Sequence, residues 1–181
     1  PLLLLHGFPQ TKAIWRKIVP KLTPYFTVIT SDLRGYGDSS KPVGKPDHTT
    51  YSKRAMAEDQ VRLMQHLGFE KFDLVGHDRG GRVSHRLVMD YPQAVRQVMV
   101  LDISPTLSMY EQTSLEFAQG YWHWFFLIQK YPLPEKLINA EPEFFLDTFI
   151  GKNSGPNFAP EDWDTYISQI KNPDSVHAMC E

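Results

Sequence analysis

Phe72-Asp73-Leu74-Val75-Gly76-His77-Asp78-Arg79-Gly80-Gly81-Arg82 is an apolar run that passes through glycines straight into a segment with helical spacing. It reads as a strand, a sharp turn and a helix over Gly81 to Tyr91, stopped before Pro92. Glycine is needed at 76 and 80, because side chains there would collide with neighbouring backbone in so tight a turn. An elbow of this kind lifts one side chain clear, and Asp78 stands where G-x-S-x-G turns present their serine. The segment alone leaves a second reading open, in which Asp78 merely caps the helix that follows.

Working outward, three more short apolar runs bounded by turn residues read as strands: Leu2 to Leu5, Phe26 to Thr30 and Val98 to Ile103. All are apolar on both faces, as buried parallel strands are. Helical spacing lies between them, over Ile14 to Leu22 and, most clearly, Ser52 to Leu67, with Met56, Val61, Met64 and Leu67 on one face and Gly68 as a stop. The alternation βαβαβαβ predicts an α/β fold with a parallel sheet, right-handed crossovers and ligands beyond the carboxyl ends of the strands. From Ser104 onward no strand pattern appears. Helix-like segments are punctuated by Pro132, Pro134, Pro142, Pro160 and Pro173, and most of the aromatic residues fall here. That density suggests a helical cap that excludes water from a site, with ordinary core packing as the plainer alternative.

The chain has 181 residues, 41% hydrophobic and 22% charged, enough for a real core and inconsistent with disorder, collagen-like repetition or a coiled coil. A net charge of −2 provides no general field for nucleic acid or an anionic membrane, so an anionic ligand must be held locally. A single cysteine, Cys180, excludes an internal disulfide and a cysteine-rich metal site and fits a reducing, cytoplasmic setting. The longest apolar runs, Leu2 to Leu5 and Trp124 to Ile128, fall far short of the roughly 20 residues that span a bilayer. The chain starts at Pro1 and enters a strand at once, which suggests a fragment.

Leu2-Leu3-Leu4-Leu5-His6-Gly7-Phe8-Pro9 is a strand ending in a His-Gly turn, where a backbone N–H, here that of Phe8, can serve an oxyanion. Ser31-Asp32-Leu33-Arg34-Gly35-Tyr36-Gly37-Asp38-Ser39 is a turn-rich loop whose glycines, Asp32 and Ser39 fix shape. Val100-Leu101-Asp102-Ile103 puts an acid at a strand end, where it could orient a histidine or simply belong to a turn. Together these resemble the α/β-hydrolase family, and the aspartate elbow narrows the likeness to members that displace at sp³ carbon. The string Gly76-His77-Asp78-Arg79-Gly80-Gly81-Arg82, with Arg79 where related dehalogenases and epoxide hydrolases carry tryptophan, and Tyr121-Trp122-His123-Trp124 in the cap are most similar to the haloacetate (fluoroacetate) dehalogenases.

The resemblance implies the α/β-hydrolase fold, with residues 1–104 as a partial core carrying family strands 3 to 6 and residues 105–181 as a helical cap. It implies hydrolytic dehalogenation of 2-haloacids through an aspartyl ester, with Asp78 as nucleophile. A carboxylate suits this route, because alkylated serine would be an ether that water does not readily cleave. Asp102 would be the acid orienting a histidine, Arg79 and Arg82 a forked clamp on the substrate carboxylate, and His123 and Trp124 N–H donors to the departing halide. Partners are then a small anionic haloacid and water, with a homodimer as the implied state of a full-length parent. No metal, cofactor, nucleic acid or membrane is implied.

The family's water-activating histidine follows its last strand, and none of the seven histidines here fits that place. His6 and His77 belong to turns, His48 to a loop, His66 and His85 to helices, and His123 and His177 to the cap. The expected chain is therefore catalytically incomplete, lacking two strands on each side. Two alternatives stay open. One is an epoxide hydrolase, with Tyr110, Tyr121, Tyr131 or Tyr166 as proton donor, in which an arginine pair beside the nucleophile has no role. The other is a non-catalytic binding module of the same fold.

Overall fold

The computed structural model describes residues 1–151 and 158–181. Two compact units divide it, Pro1–Ile103 and Ser104–Glu181.

The first unit is built on four parallel strands, β1 (Leu2–Leu5), β2 (Val28–Ser31), β3 (Phe72–His77) and β4 (Val95–Leu101), in the order β2-β1-β3-β4. That is the order expected for family strands 4-3-5-6. Leucine-only β1 lies centrally and is buried along its whole length, since it has a neighbour on both sides. Leu2 and Leu4 pack with Trp15, Val28, Val75 and Leu101 on one face of the sheet. β4 pairs with β3 alone among the described residues, and Val98, Met99 and Val100 remain exposed along it.

Residues 12–22 depart from the single helix that their spacing predicts. Pro20 lacks an N–H and its ring clashes with the carbonyl four residues back, so a helix cannot run through it. The stretch breaks into a 3-10 turn, Lys12–Trp15, and a short helix α1 (Val19–Leu22) with the proline at its start, where it is tolerated. β2 also begins later than its apolar run, because the Phe26 N–H still donates to the Leu22 carbonyl, 3.0 Å away.

Helix α2 (Lys53–His66) starts where the Ser52 side chain accepts from the Ala55 N–H, and it buries Met56, Val61 and Met64. Helix α3 (Arg79–Asp90) begins two residues earlier than the spacing suggests and packs against α2, β3 and β4.

The second unit is all helical: α4 (Thr106–Glu111), α5 (Leu115–Gly120), α6 (Trp122–Leu127), α7 (Leu133–Ala140), α8 (Pro142–Ile150), α9 (Pro160–Ile170) and α10 (Pro173–Cys180). Proline sits in the first turn of α7, α8, α9 and α10, so the residues that punctuate the sequence also set the helix starts. Among the described residues no helix is long and apolar enough to cross a membrane.

Candidate active site

β3 runs into α3 through Asp78, whose φ of 48° and ψ of −116° are a conformation that a non-glycine residue adopts only under constraint. The constraint is main chain packed on main chain. A Cβ added at Gly76 would lie 2.4 Å from the Gly80 carbonyl oxygen, and one at Gly80 would lie 2.4 Å from that of Leu5. At Gly7 it would meet the Asp78 side chain at 2.5 Å. These glycines let β1, β3 and α3 converge around a single side chain.

The geometry speaks against the capping reading of Asp78. Although it occupies the N-cap position of α3, its carboxylate makes no capping hydrogen bond. Instead Oδ1 accepts from the Phe8 N–H at 2.7 Å, joining the His-Gly turn to the elbow across 70 residues. The backbone donor anticipated for an oxyanion therefore faces Asp78 itself.

Arg79 and Arg82 are three apart in the first turn of α3 and both are partly buried. The Arg79 guanidinium carbon lies 4.9 Å from the centre of the Phe8 ring, and its Nη1 donates to the Tyr36 hydroxyl at 2.8 Å. Tyr36 is fully buried and packs edge-on against His6, with ring centres 5.0 Å apart. His6 is also fully buried: its Nε2 accepts from the Leu33 N–H at 3.0 Å, so Nδ1 carries the proton and donates to the Gly7 carbonyl, also 3.0 Å away. Burial pushes its pKa down to about 4 from the usual 6.5. A neutral imidazole thus ties the turn that carries Phe8 to the loop that carries Tyr36.

That loop is braced by Asp32. Burial would raise its pKa, but the Lys12 ammonium at 2.6 Å and the amides of Lys12 and Asp38 outweigh this and hold it below the ordinary carboxylate value. The Ser39 hydroxyl donates to the Asp32 carbonyl, and Gly35 and Gly37 take positive φ angles of 88° and 49°. A cavity of about 230 Å³ beside this loop is lined by Asp32, Arg34, Asp59 and Gln60. Its charges are already paired, Arg34 with both Asp59 oxygens and Asp32 with Lys12.

Lys53, the first residue of α2, is a member of the charged cluster that sequence reasoning missed. Burial, together with repulsion from Arg79 and Arg82, lowers its pKa to about 7 against the opposing attraction of Asp78. Tyr36 was missed for a different reason, since nothing local distinguishes it from any other residue of a Gly-Tyr-Gly turn.

Asp102 follows β4 directly, at φ 52°. Its side chain is 92% exposed, with Oδ2 3.9 Å from His77 Nε2. His123 and Trp124 lie on α6 in the second unit and point to different neighbours. His123 meets Phe149 edge-on at 4.7 Å, whereas Trp124 packs on Tyr110 and Tyr121, each 5.6 Å away. The structure thus brings together Asp78, Phe8 and Arg79, with Arg82 and Lys53 in electrostatic reach. Among the described residues no cluster of histidine, cysteine and carboxylate side chains is placed to hold a metal ion.

Residues 1–175 match the family described as "alpha/beta hydrolase fold". The chain is 50% identical over 182 residues to a fluoroacetate dehalogenase of Burkholderia sp, aligning 99% of this chain with 60% of that one. It is 36% identical to a soluble epoxide hydrolase of Corynebacterium sp. (strain C12), over all of this chain and 63% of that one. Among solved structures, ALR0039 of Nostoc sp PCC 7120 superposes with a TM-score of 0.97 at 52% identity, covering 99% of this chain and 62% of that one. The chain therefore spans about six tenths of the length of these relatives.

Proposed function

The chain belongs to the alpha/beta hydrolase fold family, and from that premise we propose that it carries the nucleophilic half of an enzyme that removes halide from 2-haloacids. The observation that supports this most is the pairing of a carboxylate lifted out of its helix-capping role with two arginines in the same helical turn. Asp78 Oδ2 attacks the carbon bearing halogen, a C–O bond forms, and halide departs with the bonding pair of the broken bond. Arg79 and Arg82 hold the substrate carboxylate in forked geometry and offset its repulsion from Asp78. Oδ1 becomes the ester carbonyl oxygen, and the Phe8 N–H stabilises the charge it acquires when water attacks. Asp102 is assigned to orienting the base that activates this water, and His123 and Trp124 to donating N–H to the halide.

Similarity to an epoxide hydrolase favours a second reading, opening of an epoxide by the same aspartate. The arginine pair supports the acid over a neutral epoxide. The test is halide release from chloroacetate and fluoroacetate by the intact protein, beside ring opening of a neutral epoxide. Asp78→Asn, isosteric but a poor nucleophile, should abolish halide release while the circular dichroism spectrum is kept. Normal release by that variant, with no deamidation seen by mass spectrometry, would reject the assignment.

A further inference from the structure

Phe8 touches the site at two points. Its N–H donates to Asp78 Oδ1 at 2.7 Å, and the Arg79 guanidinium carbon sits over its ring, 4.9 Å from the ring centre. Two consecutive residues of the elbow are thus held by one residue of the opposing turn. That turn is closed by the Gln10 N–H, which donates to the Gly7 carbonyl at 3.0 Å, and the same oxygen accepts from His6 Nδ1. The ring is therefore carried on a braced piece of backbone. Arg79 is also held through Nη1 by the Tyr36 hydroxyl at 2.8 Å. Both of these partners are neutral. A carboxylate in the place of the ring would fix the arginine and cancel its charge, whereas an aromatic face attracts the cation and leaves the charge in place for an anion.

We propose that the Phe8 ring is a positioning element that sets the preference of this site for a small carboxylate anion, by holding the Arg79 guanidinium in place before the anion arrives. The proposal rests on the haloacid reading for the identity of the anion. An arginine side chain has many rotamers, and ordering it on binding costs affinity. With the guanidinium already laid over the ring, that ordering is completed on folding. Weakening the ring's attraction returns it to the binding step, at about fivefold in affinity. The Phe8 N–H belongs to the main chain, so it stays when the side chain is changed.

Ring fluorines draw electrons from an aromatic face and weaken its attraction for a cation while its shape barely changes. In the intact protein Phe8 is replaced by phenylalanines carrying one, two and three ring fluorines, and by the variants Phe8→Leu and Phe8→Tyr. Acetate, which carries the carboxylate and no leaving group, is titrated into each by calorimetry, and KM and kcat are read from halide release by chloroacetate. Acetate should bind more weakly with each fluorine, losing about fivefold at three and in Phe8→Leu, and Phe8→Tyr, which keeps the face, should restore binding. KM for chloroacetate should follow the same order, with kcat changing less. A flat fluorine series overturns the inference even where Phe8→Leu is impaired, because that pattern is packing alone, and it leaves the haloacid reading standing. A graded acetate series without halide release from chloroacetate overturns the haloacid reading and leaves the inference standing. A wild-type protein that neither binds acetate nor releases halide overturns both.

Discussion

Acidification should loosen this protein through His6. The imidazole is fully buried, accepts from the Leu33 N–H and has its pKa pushed down by burial to about 4, against 6.5 in an unfolded chain. Between those two values the unfolded chain binds the proton that the folded one refuses, so stability must fall as pH falls through that window and level off on either side of it. Each pH unit is worth about 1.4 kcal/mol, which gives a loss of roughly 3 kcal/mol across the window. That is a large share of the roughly 5–15 kcal/mol that holds a domain together. Asp32, held below its ordinary value, loses its contribution only at still lower pH, so the two effects separate. Urea unfolding of the intact protein at constant ionic strength, in half-unit steps from pH 7 to pH 4, reads the slope directly. His6→Gln keeps an acceptor for the Leu33 amide but cannot titrate, so its curve should lack this component. An equal slope in the variant, or a flat wild-type curve down to pH 4, would refute the reasoning.

Tyr36→Phe removes the acceptor that the Arg79 guanidinium uses at 2.8 Å while leaving the ring against His6. The Michaelis constant for haloacetate should rise several-fold with a smaller change in turnover, a difference of about 1–2 kcal/mol; equal kinetics in steady-state assays would show that the hydroxyl does not position the arginine. Gly80→Ala forces a methyl to 2.4 Å from the Leu5 carbonyl oxygen, whereas Gly68→Ala meets open space and only the strain of its φ of 84°. The second substitution should cost about 1–2 kcal/mol in thermal or urea unfolding, and the first should cost more and abolish the site. Similar losses for both would contradict the packing described at the elbow.

The topology was legible because its signals are local and repeated. Apolar strands alternate with amphipathic helices, and Gly76, Gly80 and Gly81 mark the one turn that must be sharp. The role of Asp78 was not legible from its own segment, since a helix cap and a nucleophile call for the same residue at the same place. The absent capping bond and the Phe8 amide, 70 residues away in sequence, speak against the cap. Pro20 carried its signal openly, and the helical spacing from Ile14 to Leu22 should have yielded to it. Tyr36 and His6 join the site through contacts between loops that no periodicity encodes. Lys53 left only a weak trace, a cation opening a helix.

The cradle around Asp78 is made almost wholly of peptide rather than side chains. Phe8 enters it through its amide, Leu5 and His6 through their carbonyl oxygens, and Gly7, Gly76 and Gly80 by having nothing more to offer. The strain of this corner lies in the φ and ψ of residue 78, and those angles ask the same of a serine or a cysteine as of an aspartate. A single substitution at residue 78 can therefore change the side chain presented there without rebuilding its surroundings. The backbone of this corner sets where the side chain of residue 78 stands, and the identity of residue 78 sets what chemistry can be done there.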